Sequence, residues 1–247
     1  KQYAGTEIKG KTLGVIGLGA IGIEVANAAD ALGMQVIGYD PFLSVNGALR
    51  LSRSVRFTEN AETVYRESDY ITLHVPLLDS TKGTICRDSL SMMKDGVVIL
   101  NYARDLLVND DDMIEALESG KVKRYMTDFP TPKISKAKNV FATPHLGAST
   151  AESEDNCAVM AVDELRDFLE TGRIRNSVNY PNCSLAPEPC ACRICILNVN
   201  RPNMIVRFSS ILSEAGINIP NMTNKSRGDA AYTLIDCDTV PDDSLLA

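Results

Sequence analysis

The chain has 247 residues, of which 45% are hydrophobic and 23% charged, as in ordinary globular proteins. Its formal net charge is −7 and it has no cluster of basic residues, which argues against nucleic acid or an anionic membrane surface as a partner. No apolar run approaches the roughly 20 residues that span a bilayer, and no signal peptide is evident.

The length allows one large domain or two modest ones. Because the sequence begins with Lys1 rather than Met, we expect it to be part of a longer chain. Its scattered cysteines favour reduced thiols and a cytoplasmic location over a disulfide framework. Four cysteines have a spacing that resembles a metal site: Cys183, Cys190, Cys192 and Cys195. They lack a nearby histidine or a second C-x-x-C and lie partly in an apolar stretch, so we predict buried thiols and no metal.

The first predicted element is an apolar strand at 12–16, which runs into the glycine-rich segment Gly17–Gly22 and then a helix. In this G-x-G-x-x-G pattern, Gly17 permits a tight turn and Gly19 lets the backbone approach a pyrophosphate. Gly22 allows the helix and the strand to pack closely. The start of the helix directs free N–H groups and a positive dipole end at the phosphates. The pattern therefore predicts a dinucleotide site.

A second apolar strand at 35–39 is followed directly by Asp40. An acid about 20 residues beyond the glycines is the context that distinguishes a dinucleotide site from an ordinary glycine turn. Asp40 can accept hydrogen bonds from the adenosine ribose hydroxyls, and its charge repels a 2′-phosphate. The predicted cofactor is therefore NAD rather than NADP.

Strands and helices continue to alternate, which indicates an α/β fold with a doubly wound parallel Rossmann sheet. The predicted strands are 12–16, 35–39, 70–75, 97–101, 122–127 and 140–142. A helix is predicted from its cap at Asn109 to Ser119, and Gly120 ends it. Ligands bind beyond the carboxyl ends of the strands in such sheets. That rule selects Gly17–Gly22, 74–76, 101–104 and the loop around His145.

A longer helix is predicted from about 150 to 171, with Ser149–Glu152 as its capping box. One face of this helix carries apolar residues at spacings of three and four: Ala158, Ala161, Val162, Leu165, Phe168 and Leu169. A proline-containing linker follows, and then a β-α-β-β pattern that opens a split βαβ sandwich. Its predicted parts are strand 192–198, helix 203–215, strand 217–222, a polar turn at 224–228 and strand 230–237. The predicted domains are 1–148 for the dinucleotide, 149–180 for the long helix and return segment, 181–191 for the linker and 192–247 for the small unit.

Two residues at strand ends are candidates for catalysis. His145 follows a strand and precedes a capped helix, and a histidine there can donate or accept a proton near neutral pH. Arg104 closes strand 97–101, where its guanidinium suits bidentate binding of a carboxylate. With a nicotinamide taking hydride, the arginine holds the acid and the histidine takes the hydroxyl proton. The other histidine, His74, is predicted to line the cofactor pocket.

Six motifs in register resemble the NAD-dependent D-2-hydroxyacid dehydrogenases. The resemblance is closest to the D-3-phosphoglycerate dehydrogenases that carry a regulatory ACT domain. The motifs are Gly17–Gly22, Tyr39–Pro41, His74–Leu77, Asn101–Arg104, Thr127–Phe129 and Pro144–Thr150. The tail from Cys192 onward resembles a partial, ferredoxin-like ACT domain, and 198–202 matches the loop that senses serine in some relatives.

The resemblance implies hydride transfer between NAD and C2 of a D-2-hydroxy acid, with 3-phosphoglycerate as substrate, the first step of serine biosynthesis. It implies that Arg104 binds substrate, that His145 is the acid/base and that Asp128 helps to hold the nicotinamide end. Together with the residues derived above, the expected cofactor residues are Gly17, Gly19, Ala20, Ile21, Gly22, Asp40, His74, Val75, Pro76, Tyr102, Ala103, Arg104, Asp128, His145, Gly147 and Ala148. A homo-oligomer, either a dimer or a tetramer, is also implied.

The sequence departs from the family pattern at several points. In the family, a glutamate a few residues beyond the aspartate orients the catalytic histidine. Here Lys133 stands near the position of that glutamate, so that Asp128 is the candidate to replace it. Two glycines usually follow the arginine. Here Asp105 and Leu106 replace them, and the carboxylate could compete with substrate for Arg104. The family also places most of its substrate domain before the first residue of this sequence, and its ACT domain continues beyond the last. In the tail, Asn203 replaces the usual glycine.

Two other functions are compatible with these residues. One is an NAD-binding sensor or catalytically impaired homologue that keeps the dinucleotide fold, for which turnover of 2-hydroxy acids would be absent. The other is an amino-acid-binding regulatory module that uses the loop at 198–202.

Overall fold

The computed structural model describes residues 5–246. The chain divides into two compact units, with the boundary between Leu146 and Gly147. No helix in the described part of the chain is long and apolar enough to cross a membrane.

The first unit is built on a seven-stranded parallel sheet in the order β3-β2-β1-β4-β5-β6-β7. The strands are β1 (Thr12–Ile16), β2 (Gln35–Tyr39), β3 (Arg56–Thr58), β4 (Tyr70–Leu73), β5 (Val97–Asn101), β6 (Val122–Thr127) and β7 (Val140–Ala142). The helices are α1 (Ala20–Ala31), α2 (Val45–Arg50), α3 (Ala61–Glu67), α4 (Arg87–Met92) and α5 (Asp110–Ser119), with 3₁₀ turns at Asp105–Leu107 and Ile134–Lys136. The strand order reverses between β1 and β4, which confirms the predicted doubly wound sheet.

The apolar strands form this sheet because both of its faces are covered. Val15 and Ile16 are neighbours on β1, yet they belong to two different buried clusters. Successive side chains of a strand point to opposite faces, so the two clusters are the two sides of the sheet. Continuous apolar runs are the expected sequence for strands covered in this way.

The predicted strands of the first unit agree with the structure, apart from two details. β4 ends at Leu73 rather than at residue 75, which leaves His74–Pro76 as a loop. β3 was not predicted, because it has only three residues and two of them are exposed. α5 begins after the Asn109 cap and ends at Gly120, as predicted.

The second unit contains the long helix α6 (Ala151–Thr171) and a three-stranded antiparallel sheet in the order β8-β10-β9. Its elements are β8 (Cys192–Val199), α7 (Met204–Glu214), β9 (Asn221–Arg227), β10 (Ala230–Cys237) and α8 (Asp243–Leu246). The predicted β-α-β-β order is thus present. The predicted strand 217–222 and polar turn 224–228 were wrong, because residues 221–227 pair along β10. Asn224 lies directly opposite Thr233 in this pairing, and its side-chain amide donates to Thr233 Oγ1 at 2.7 Å.

The ends of α6 follow from local hydrogen bonding. The predicted capping box at Ser149–Glu152 is displaced by one residue, because Thr150 is the cap and its hydroxyl accepts from the Ser153 amide at 3.1 Å. Gly172 ends the helix with a φ of 73°, a conformation that favours glycine. None of the α6 residues is buried within the described part of the chain.

An ion pair crosses the small sheet. Arg193 on β8 lies directly opposite Asp236 on β10. Its guanidinium donates to both carboxylate oxygens of Asp236, at 2.6 and 2.9 Å. It also donates to the main-chain carbonyls of Thr171 at 3.1 Å and Ala186 at 3.0 Å. One side chain therefore connects the end of α6, the linker and two strands.

The cysteines of the tail lie on or near this sheet. Cys183 and Cys237 are buried, Cys190 and Cys192 are partly buried, and Cys195 is exposed, so the prediction of burial was wrong for Cys195. Within residues 5–246, no three His, Cys, Asp or Glu side chains are grouped so that they could hold a metal ion.

Candidate active site

The glycine turn after β1 has a shape that only glycine permits at two positions. Gly17 has a φ of 96°, and a Cβ atom there would collide with the main-chain carbonyl of His74. A Cβ atom on Gly22 would collide with the carbonyl oxygen of Gly17. The chain therefore turns sharply from β1 into α1, and the start of the helix packs directly against the turn.

The N-terminus of α1 fits a dinucleotide pyrophosphate. A Cβ atom on Gly19, the N-cap residue, would meet no atom within 4 Å. Ala20 and Ile21 are exposed, and no side chain among the described residues caps the helix at Gly19. The first N–H groups of a helix and its positive dipole end attract phosphate. The open space above this turn is thus the kind of cradle that a pyrophosphate fills.

Asp40, at the end of β2, is fixed beside the glycine turn. One carboxylate oxygen accepts from the Leu18 amide at 2.8 Å, and the other accepts from the Phe42 amide at 2.8 Å. Each oxygen of a carboxylate can accept more than one hydrogen bond, so both retain capacity for a hydroxyl donor. The acid is therefore placed where the sugar next to the pyrophosphate would lie.

The loop His74–Pro76 forms a wall of the same turn. The His74 amide donates to the Ile16 carbonyl at 2.7 Å, and the His74 imidazole Nε2 hydrogen-bonds the Thr72 hydroxyl at 3.0 Å. Burial lowers the pKa of His74 to about 4, so this imidazole is neutral at pH 7. A pKa this low makes the imidazole a poor base near pH 7, and its predicted role in lining the cofactor pocket stays a prediction.

The Arg104 turn is organised by a residue that we did not single out from the sequence, Asn101. Its side chain is fully buried and its amide donates to the Arg104 carbonyl at 2.7 Å and to the Tyr125 hydroxyl at 3.2 Å. Its Oδ1 accepts from the Ala103 amide at 3.2 Å. An asparagine that ends an otherwise apolar strand was the signal available in the sequence. Tyr102 and Arg104 are exposed on this turn.

The expected competition between Asp105 and substrate for Arg104 is not seen. The Asp105 carboxylate accepts from the Leu106 amide at 2.8 Å and thereby begins the 3₁₀ turn. Arg104 takes part in none of the ion pairs found among residues 5–246. Its Nη1 donates to the Ala103 carbonyl at 2.6 Å. The guanidinium is therefore available to an external anion.

His145 forms a close pair with Asp128. Its Nδ1 lies 2.8 Å from Asp128 Oδ2, and the exposed fractions of the two side chains are 57% and 8%. An ionised carboxylate only accepts hydrogen bonds, so Nδ1 carries the proton of this bond and Nε2 is left free. Asp128 Oδ1 is buried and has no hydrogen-bond partner within the described residues.

Lys133 takes no part in this pair. It forms an ion pair with Asp111 on α5 instead. The side chain at the position where the resemblance places a glutamate therefore pairs with Asp111 and not with the imidazole. Asp128 is the carboxylate that the structure brings to His145.

Arg104, Asp128 and His145 follow the carboxyl ends of β5, β6 and β7, at the same edge of the sheet as the glycine turn, Asp40 and His74. Gly147 and Ala148 belong to the second unit, so their predicted contact with the cofactor stays a prediction.

The doubly wound sheet, the glycine turn and the acid after β2 together define a dinucleotide-binding protein of the Rossmann class. Residues 1–147 match the family described as "D-isomer specific 2-hydroxyacid dehydrogenase, NAD binding domain". The chain therefore belongs to the D-isomer specific 2-hydroxyacid dehydrogenases, and its cofactor is NAD.

Named relatives span several activities. The chain is 37% identical over 188 residues to the D-3-phosphoglycerate dehydrogenase of Methanocaldococcus jannaschii, covering 74% of this chain and 36% of that protein. It is 41% identical over 181 residues to the hydroxypyruvate reductase of Thermotoga maritima, covering 70% and 56%. A crystal structure of a glyoxylate reductase from Paecilomyes thermophila aligns with a TM-score of 0.63 at 31% identity, covering 70% and 54%. The chain thus spans about a third to just over half of the length of these proteins.

Proposed function

We propose that the protein transfers hydride between NAD and C2 of a D-2-hydroxy acid, with 3-phosphoglycerate as the substrate. The observation that carries the proposal is the 2.8 Å contact between His145 Nδ1 and Asp128 Oδ2, at the edge of the sheet that also holds Arg104. Relatives named D-3-phosphoglycerate dehydrogenase support the substrate, and the relative named hydroxypyruvate reductase makes a smaller hydroxy acid the comparison to test.

Three side chains of this chain have separate tasks in the proposal. Arg104 binds the substrate carboxylate through its guanidinium. His145 takes the proton of the C2 hydroxyl at Nε2 during oxidation and returns it during reduction. Asp128 holds Nδ1 of the imidazole, fixes its tautomer and stabilises the imidazolium. Bound NAD supplies the acceptor for the hydride that leaves C2.

The proposed cofactor contacts follow from the geometry of the first unit. Main-chain amides at Gly19, Ala20 and Ile21 would hold the pyrophosphate. Asp40 would hold the adenosine ribose. The remaining residues of the first unit would line the cofactor: His74, Val75, Pro76, Tyr102 and Ala103.

The test is an assay of reduced nicotinamide absorbance with 3-phosphoglycerate and with smaller 2-hydroxy acids, on the complete polypeptide in which this sequence occurs. His145→Gln is expected to lower turnover by roughly 10²–10⁴-fold, the usual contribution of a general acid–base group. Its affinity for NAD should be retained, because the pyrophosphate and ribose contacts lie elsewhere. Lys133→Gln is the matched control, and it should keep turnover since Lys133 pairs with Asp111.

Two outcomes of this assay distinguish a dehydrogenase from an NAD-binding sensor. Turnover that His145→Gln abolishes supports the dehydrogenase. Tight binding of NAD in calorimetry without turnover of any 2-hydroxy acid would reject it, and would favour an NAD-binding sensor.

A second candidate function is the binding of a small amino acid such as serine by the second unit. A cavity of about 290 Å³ is lined by residues that include Asn198, Arg201 and Pro202. Asn198 Oδ1 is buried and lacks a hydrogen-bond partner among the described residues, as expected for an acceptor that awaits an ammonium donor. Calorimetric titration with L-serine tests this site. We expect heat of binding that Asn198→Ala removes, and absence of heat would reject serine as the ligand.

We further propose a homo-oligomer, a dimer or a tetramer, in the cytoplasm. Apolar side chains of α6 are exposed, including Val162 at 64% and Leu169 at 73%, as fits either an interface between copies or packing against the rest of the substrate domain. The free cysteines of the described chain support a reducing compartment.

A further inference from the structure

Phe129 contacts both side chains to which the proposed function gives a role toward substrate. Its ring centroid lies 4.4 Å from that of the His145 imidazole, with the ring planes inclined by 42°. Its centroid also lies 5.8 Å from Cζ of Arg104, within the range of a cation–π contact. A single aromatic ring thus connects two residues that come from different loops.

The ring is held on a rigid support. Phe129 follows β6 directly after Asp128, and its amide donates to the Thr127 hydroxyl at 3.0 Å. Thr127 and Asp128 are both buried. The backbone that carries the ring is therefore fixed by the same strand end that holds the His145 pair.

The contacts limit how far apart the two functional groups can lie. Distances of 4.4 and 5.8 Å to one ring place the guanidinium and the imidazole within about 10 Å of each other. A 2-hydroxy acid that bridges them needs a hydrogen bond of about 3 Å at its carboxylate and another at its hydroxyl. This upper limit is compatible with one short molecule that contacts both groups, and holding reacting groups close together is a large part of catalysis.

The Phe129 ring engages Arg104, while its chain neighbour Asp128 pairs with His145. Asp128 Oδ1 is buried without a hydrogen-bond partner among the described residues. An arginine released from the ring would be attracted to that carboxylate. Such a pair would withdraw the guanidinium from substrate and disturb the hydrogen bond to His145.

We propose that Phe129 is a positioning residue, whose ring sets the spacing of Arg104 and His145 and keeps Arg104 away from Asp128. The inference rests on the proposed dehydrogenase function.

The test compares Phe129→Leu, which keeps apolar volume but removes the aromatic face, with Phe129→Tyr, which keeps the face. We expect Phe129→Leu to raise the KM for the hydroxy acid about tenfold, the size of a partly desolvated cation–π contact. Its kcat should fall as well, because the imidazole loses the aromatic ring packed beside it. Phe129→Tyr should stay within about twofold of the wild type, and the Kd for NAD should be unchanged in both variants. Calorimetry measures the Kd without turnover.

Each other outcome contradicts the inference in a recognisable way. Normal KM and kcat in Phe129→Leu would overturn the positioning role and leave the dehydrogenase standing. Loss of NAD affinity and of the thermal unfolding transition in both variants would show that Phe129 only supports the fold. A wild-type protein without turnover would overturn the proposed function and this inference with it.

Discussion

His74 couples the stability of the first unit to pH. Burial lowers its pKa from 6.5 to about 4, so the unfolded chain takes up a proton at a higher pH than the folded chain does. The stability that depends on neutral His74 is therefore complete above about pH 6.5 and is lost as the pH falls toward 4. Lowering the pH therefore lowers the free energy of unfolding through protonation of His74.

We expect the free energy of unfolding to fall between pH 7.5 and pH 5 by about 2 kcal/mol more in the wild type than in His74→Asn. Urea unfolding at a series of pH values measures the difference. Parallel pH profiles for the two proteins would show that the histidine is not the group responsible. Asn is a suitable replacement because it retains a polar group near the Thr72 hydroxyl.

The sequence indicates individual functional residues but not their hydrogen-bond partners. Gly17 and Asp40 stand out because each directly follows an apolar strand, and His145 stands out because it lies three residues beyond the end of β7. The pairing of His145 with Asp128 joins residues that are 17 positions apart, and it depends on how two loops fold over the sheet edge. Local spacing does not contain that information. For Asn101, the signal was a polar residue at a strand end, but no motif records its partners, which are main-chain groups of its own turn and the Tyr125 hydroxyl.

Cross-strand pairs determine how firmly the elements of the second unit are joined. Arg193 and Asp236 are 16% and 1% exposed, and together they link β8 to β10. Removing one member of a buried ion pair leaves the other charge without compensation, whereas replacing both by apolar residues is often tolerated.

The expected result for Asp236→Ala is therefore a loss of about 3–5 kcal/mol in the unfolding free energy of the second unit. The double variant Arg193→Met, Asp236→Leu should lose clearly less. Hydrogen exchange of the β8 and β10 amides measures both. Equal losses in the single and double variants would mean that packing, rather than the uncompensated charge, determines the cost.

Elements with strong apolar patterns were predictable, and elements defined by their neighbours were not. The helix from Asp110 to Ser119 was found because Asn109 and Gly120 are good end signals. β9 was misplaced because its later residues, Asn224–Arg227, are polar and resemble a turn. They are extended because β10 supplies a complete row of main-chain partners, and pairing with a buried neighbour overrides local preference.

At the scale of the whole chain, each unit contains buried clusters of its own. The first unit holds the two clusters on either side of the parallel sheet, and the second holds two smaller clusters around β10. Composition and length predicted that a core of this size could form, while the change from parallel to antiparallel pairing could be foreseen from the order of the elements. The direction in which each loop points its side chains could not be foreseen from the sequence, because it depends on contacts between distant residues.

The shape of the turn at Gly17 and Gly22 has a consequence for how such sequences diverge. At these two positions a single methyl group would strike the main chain, whereas Ala20 and Ile21 between them face outward with room around them. Substitutions at Ala20 and Ile21 can therefore accumulate during evolution, whereas Gly17 and Gly22 must be preserved. A search for distant relatives of this protein should therefore give Gly17 and Gly22 more weight than Ala20 and Ile21.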